Sequence, residues 1–296
     1  MNQTKTEQMT HGAGFIAALD QSGGSTPKAL LQYGVQSDAY SGDAEMFDLI
    51  HAMRARIATA PSFTGDRVIG AILFEMTMER DIAGKPTAQY LWEEKHIVPF
   101  LKIDNGLEDT AHDVQMLKPI DGLDALLARA KEHGIFGTKM RSVIHGANAQ
   151  GIAQNVAQQF EIGRQISASG LIPILESEVI ISIPDKAAAE DMVLAEISDN
   201  LDKLNSAEKV ILKLSLPTKP NQYAPFIDHP NVMRIVALSG GYSQQKANDL
   251  LAQNAGMIAS FSRGLVEGLD VSQSDMAFNA TLTSSIDTIY AASNAG

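Results

Sequence analysis

Charged residues stand at or just past the C-terminal ends of most short apolar runs in this chain. Asp20 follows FIAAL, Glu75 follows VIGAILF, Lys102 follows IVPFL, and Lys139 with Arg141 ends IFGTKM. Glu176 and Glu178 follow LIPIL, Lys213 lies inside VILKL, and Arg263 stands beyond MIASF. A charge in such a place can simply mark where burial stops. Lys213 is less easily explained that way, because leucines flank it in VILKLSLP, and a lysine among apolar neighbours is costly unless paired or neutral. Burial and a neighbouring cation favour the neutral amine, the nucleophile that imine formation on a ketone requires. Lys139 is the candidate cation. Glu176 is placed to shuttle protons as the imine forms and breaks down, which suits a carboxylate whose pKa is raised by enclosure.

Two glycine-bearing loops offer places for anions. ALSGGYS carries adjacent glycines whose backbone N–H groups are open to an anion, and Arg263 lies beyond the next apolar run. DQSGGSTPKAL leads into a helix start, where Ser25 or Thr26 is also a candidate cap. With Lys102 nearby, two anion positions would flank a lysine, as a bisphosphorylated sugar demands. The 7 histidines show neither HExxH nor clustered carboxylate spacing, and there are no cysteines, so the expectation is no metal site and no thiol chemistry. GAGF precedes the first apolar run instead of following it and is not a dinucleotide fingerprint.

Eight apolar runs must position these residues: 15–19, 68–74, 97–101, 135–140, 171–175, 210–214, 232–238 and 257–261. Between them lie stretches of helical spacing, such as Leu123, Leu126, Leu127 and Ala130, or Val156, Phe160, Ile162 and Ile166. Eight strand and helix units without a composition break predict an α/β fold, a single (β/α)8 TIM barrel spanning residues 1–296 as one domain. Residues two apart share a strand face. Ile174, Glu176 and Glu178 therefore point one way, as do Ile211, Lys213 and Ser215, and Gly137, Lys139 and Arg141. In such a barrel the C-terminal strand ends converge on one face, so the charges would form one polar mouth. A last helix is expected over Met276–Ala292, with 293–296 frayed.

Apolar residues make up 45% of the chain, enough for a large core, and the formal charge of −12 opposes long-range attraction to nucleic acid or anionic lipid. No apolar run approaches a membrane span of about 18 residues, and the N-terminus lacks the apolar core of a secretory signal. A cytoplasmic location is the default expectation.

Through GFIAALDQSGGSTPKAL, GAILFEMTMER, VPFLKIDNG, FGTKMRSVI, GLIPILESEV, VILKLSLPT, VALSGGYS and ASFSRGL, in that order, the chain resembles the class I fructose-bisphosphate aldolases in their short bacterial form. The resemblance implies a metal-independent lyase without a cofactor that cleaves fructose 1,6-bisphosphate reversibly to dihydroxyacetone phosphate and glyceraldehyde 3-phosphate. It implies Lys213 as the imine lysine, Glu176 as principal proton donor and acceptor, and Asp20, Lys139 and Glu178 as the rest of the catalytic cluster. Arg263 with Ser239, Gly240 and Gly241 would hold the phosphate of dihydroxyacetone phosphate. Ser22, Ser25, Lys102 and Arg141 would contact the distal phosphate and the sugar hydroxyls.

The chain departs from the animal enzymes at Ser177, Met140 and the FSRG motif, and it lacks their C-terminal tail with its terminal tyrosine, a role that does not transfer to Tyr290. Their tetramer is not implied either, although a homo-oligomer stays open. The alternatives are a Schiff-base aldolase for another phosphorylated ketose, such as tagatose 1,6-bisphosphate, a non-catalytic sugar-phosphate-binding protein, and a metal-dependent aldolase.

Overall fold

The apolar runs become strands because a parallel strand covered on both faces needs apolar residues of either parity. In the computed structural model, which describes residues 2–22 and 24–295, eight strands form the wall. They are β1 Phe15–Leu19, β2 Val68–Leu73, β3 Val98–Lys102, β4 Gly137–Ile144, β5 Ile172–Val179, β6 Val210–Ser215, β7 Val232–Leu238 and β8 Met257–Ala259. Each pairs in parallel with the next in chain order. The circle closes between β8 and β1, where the Ala18 N–H donates to the Phe261 carbonyl at 3.1 Å. This is the predicted (β/α)8 barrel.

Parity divides the core in two. Ile16, Ile72, Phe100, Ile174, Ile211, Val236 and Ile258 fill the barrel interior. Leu73, Leu101, Leu175, Leu212 and Leu214 pack outward against helices that contribute Ile57, Leu127, Val156, Phe160, Val193, Leu282 and Ile286. The helix Ala149–Ala168 shows the local logic: Asn148 accepts the Gly151 N–H at 3.0 Å as cap, and Ile152, Val156, Phe160 and Ile166 bury one face. The predicted Leu123 stretch is likewise a helix, Leu123–Glu132.

Three departures from the sequence reading matter. β4 and β5 run on to Ile144 and Val179, so Arg141, Glu176 and Glu178 lie within strands and not beyond them. Their inward charges end the apolar run while the ladder continues, Arg141 facing Glu176 and Val143 facing Glu178 in register. The last helix is Asp275–Ser293 and its end is not frayed at Ser293, whose hydroxyl accepts the Ala259 N–H at 3.0 Å and so ties the helix to β8. Finally, the polar N-terminal segment forms a helix, Gln3–His11, across the N-terminal end of the barrel. Its Met9 is fully buried among the interior residues, and Arg234 donates to the Met9 and Gly12 carbonyls at 2.9 Å each.

Candidate active site

Inward parity carries Ala18 and Asp20, Lys102, Lys139 and Arg141, Glu176 and Glu178, and Lys213 to the C-terminal mouth. There they line a cavity of about 620 Å³ with Ser22, Ser25, Ser239, Gly240 and Arg263. Its floor is a chain of charges. Lys139 Nζ lies 2.7 Å from Asp20 Oδ2 and 2.9 Å from Glu176 Oε2, and Lys213 Nζ lies 3.4 Å from Glu176 Oε1. Lys213 and Glu176 are each 3% exposed, so these charges meet in a place that water barely reaches. Although Lys139 is in charge contact with Glu176 Oε2, that oxygen receives no aligned hydrogen bond among the described residues. It is the open acceptor of the cluster.

The electrostatics follow from this layout. Burial opposes the Lys139 charge, but Asp20 and Glu176 outweigh it and raise its pKa well above the usual lysine value, so Lys139 is a fixed cation. Burial likewise pushes Asp20 up, yet Lys139 and then Lys213 reverse this and hold it below the ordinary carboxylate range. For Glu176, too, burial raises the pKa and is overcome by Lys139, Lys213 and Arg141, leaving it lowered. The expectation of a raised Glu176 is thereby corrected, since enclosure brings cations along with desolvation.

Around this floor, Glu178 pairs with Arg141 Nε. Glu178 and Glu176 raise the Arg141 pKa against the effect of its burial. Lys102 is held by the Asp104 carboxylate at 2.7 Å and its carbonyl at 2.8 Å, and the other Asp104 oxygen accepts the Arg141 N–H at 3.2 Å. Asp104 was not singled out in the sequence, although its spacing of two from Lys102 on KID was a signal. Gln21, Lys28, Ser260 and Ser262 also line the cavity without having been anticipated. Glu75, by contrast, turns away to Arg129 and takes no part in the mouth.

At the cavity rim the two loops differ. In the turn after β7, where the Tyr242 N–H donates to the Ser239 carbonyl at 3.0 Å, Gly240 and Gly241 adopt φ of +59° and +114°. These are left-handed values that favour glycine, and a Cβ on Gly240 would lie 2.6 Å from Ile181. Arg263 lies beside Gly241 and has no carboxylate within ion-pair reach among the described residues. In the loop after β1, Ser25 occupies the position before the helix Thr26–Gln32 but does not cap it; its hydroxyl donates to the Ser22 carbonyl at 3.2 Å. Beneath this loop lies Arg54, a guanidinium buried to 1% exposure, which burial lowers to about 10 although the Asp20 charge opposes the shift.

Residues 1–231 match the family model described as fructose-bisphosphate aldolase class-I. The chain is 55% identical to fructose-bisphosphate aldolase class 1 of Porphyromonas gingivalis, with 99% of each covered. Among solved structures, it superposes on the fructose-bisphosphate aldolase of Plasmodium falciparum with a TM-score of 0.77 at 20% identity, covering 99% of this chain and 93% of that one. The protein Cgl0159 of Corynebacterium glutamicum shares the fold more distantly, with a TM-score of 0.57, 13% identity and coverage of 98% and 92%. A barrel whose mouth buries Lys139 and Lys213 against Asp20 and Glu176, and whose sequence matches along its length in this way, belongs to the class I fructose-bisphosphate aldolase family.

Proposed function

We propose that this protein, as a single barrel domain over residues 1–296, cleaves fructose 1,6-bisphosphate reversibly through an imine on Lys213. The observation that carries the reading is the Lys213 amine at 3.4 Å from Glu176, both buried at the C-terminal mouth. Lys213 attacks the C2 carbonyl, and Glu176 accepts the proton that the amine sheds. Once the lysine nitrogen is a neutral carbinolamine, Glu176 loses one of the cations that hold its pKa down, so its proton affinity rises at the step where it must carry a proton. It then protonates the departing hydroxyl as water, leaving a cationic iminium beside a carboxylate. The C3–C4 bonding electrons move into that iminium, and the C4 hydroxyl gives its proton to Glu176 as glyceraldehyde 3-phosphate leaves. Protonation at C3 and hydrolysis release dihydroxyacetone phosphate and restore Lys213.

Asp20 keeps Lys139 protonated, and Lys139 orients Glu176 from the opposite side to Lys213. Glu178 acts by holding Arg141. The N–H groups of Gly240 and Gly241, which find no acceptor among the described residues, together with Ser239 and Arg263 suit the phosphate retained on dihydroxyacetone phosphate. Ser22, Ser25, Lys102 and Arg141 suit the distal phosphate and hydroxyls. The deciding experiment is borohydride reduction with dihydroxyacetone phosphate and a chelator present, followed by mass mapping. A single adduct on Lys213, absent from Lys213→Ala, is expected. No adduct, or one on another lysine, overturns the mechanism.

A further inference from the structure

The junction of β8 with β1 is the weakest part of the wall. Every other neighbouring pair of strands forms a parallel ladder, whereas here one backbone hydrogen bond, Ala18 to Phe261 at 3.1 Å, joins the strands among the described residues. The residues that follow on either side, Asp20, Gln21, Ser22 and Ser25 on one and Ser262 and Arg263 on the other, carry much of the proposed site. A side-chain tether takes over where the backbone stops. Gln21 Nε2 donates to Ser262 Oγ at 2.7 Å.

That amide is itself held in one orientation from behind. Arg54, on the helix Gly42–Thr59, donates through Nη2 to the Gln21 carbonyl at 2.5 Å and to Gln21 Oε1 at 3.2 Å. Nη1 donates to Thr77 Oγ1 at 2.8 Å, and Nε finds no acceptor among the described residues. Arg54 has no carboxylate partner within ion-pair reach among those residues. A buried cation without a counter-ion is a costly way to fill space, and an apolar side chain of similar volume would pack there at lower cost. What the guanidinium supplies is a fork anchored on Thr77 through Nη1 whose other arm, Nη2, takes both Gln21 oxygens, which leaves the Gln21 amide nitrogen only the Ser262 side to donate to.

We propose that Arg54 is a positioning residue which, through Gln21 and Ser262, joins the loops after β1 and β8 and sets the spacing of the two phosphate positions. The inference rests on the proposed function of those loops. It is tested by steady-state cleavage of fructose 1,6-bisphosphate with Arg54→Lys, Gln21→Ala and the double variant. A lysine keeps the charge but has one nitrogen in place of Nη1 and Nη2, so it cannot stay anchored on Thr77 while holding Gln21. Each single change is expected to raise KM about five- to tenfold with little effect on kcat, as the loss of one positioning hydrogen bond would. The double variant should be no worse than Gln21→Ala alone, because one tether is removed twice.

Effects that multiply, or an Arg54→Lys protein with unchanged KM and only a lower unfolding temperature, overturn the proposal. Should Arg54→Lys fail to fold, Ser262→Ala takes its place: a KM rise that does not add to that of Gln21→Ala supports the tether, and an additive or absent rise overturns it. Borohydride trapping with dihydroxyacetone phosphate separates the two levels. An untrapped wild-type protein overturns the aldolase reading and this inference with it. Normal trapping with additive KM effects overturns the tether alone.

Discussion

At the scale of the residue, the site is a set of charges that hold one another in place, which the proposed function uses as a proton relay. In that proposal Glu176 is the member whose surroundings change during turnover. Glu176→Gln keeps shape and hydrogen bonding but cannot carry a proton, so the rate of imine formation with dihydroxyacetone phosphate should fall by about 10²- to 10⁴-fold, read by timed borohydride quenching. The same charges contribute to stability. Asp20 has a folded pKa below its unfolded value of about 4, so its contribution is present above that value and is lost as pH falls through the lower folded one. Asp20→Asn should therefore unfold at a lower temperature than wild type at pH 7, and the gap should narrow steadily on acidification below about pH 4. A gap that widens in acid would mean that Asp20 does not gain from Lys139. Lys213 and Lys139 were legible in the sequence because a charge inside an apolar run needs an explanation, and Glu176 because it stands at the end of one. Asp104, Gln21 and Arg54 were not, since their meaning lies in partners that only the fold brings near: Arg54 reads simply as one position of a helix.

At the scale of the element, two parts hold the barrel in ways that apolar patterning does not reveal. The N-terminal helix Gln3–His11 is mostly polar, and its single fully buried apolar side chain, Met9, gives no periodicity to read. Because Met9 seals the end of the barrel opposite the mouth, Met9→Ala should cost about 2–5 kcal/mol in chemical denaturation while leaving KM unchanged. On the helix Lys186–Leu201, Glu190 is fully buried and pairs with Lys186. Lys186 in turn donates to the Leu216 carbonyl at 2.9 Å, and Glu190 accepts the Thr218 N–H at 2.9 Å. This clasp fixes the segment just beyond Lys213. Glu190→Ala strands a buried lysine and should destabilise the protein by about 3–5 kcal/mol, measured by denaturant titration. The eight strands themselves were legible from their apolar runs. The ends of β4 and β5 were not, because inward charges interrupt hydrophobicity without interrupting the ladder.

At the scale of the whole molecule, the barrel separates its duties. The end closed by Met9 and Arg234 is concerned with holding the fold, and the opposite end with chemistry, so a net charge of −12 coexists with a mouth that presents Arg263, Lys28 and Arg141 to an anion. The sparse closure between β8 and β1 gives this division a further meaning. A substrate with a phosphate at each end, held by the loops after β1 and β8, would lie across that junction and act as a removable staple for the wall. The buried Ala18 amide should then exchange with solvent faster than its seclusion suggests in the free protein, and slow markedly when the bisphosphate is bound, whereas amides in the long β4–β5 ladder should hardly respond. On this view the barrel is complete only while it is occupied.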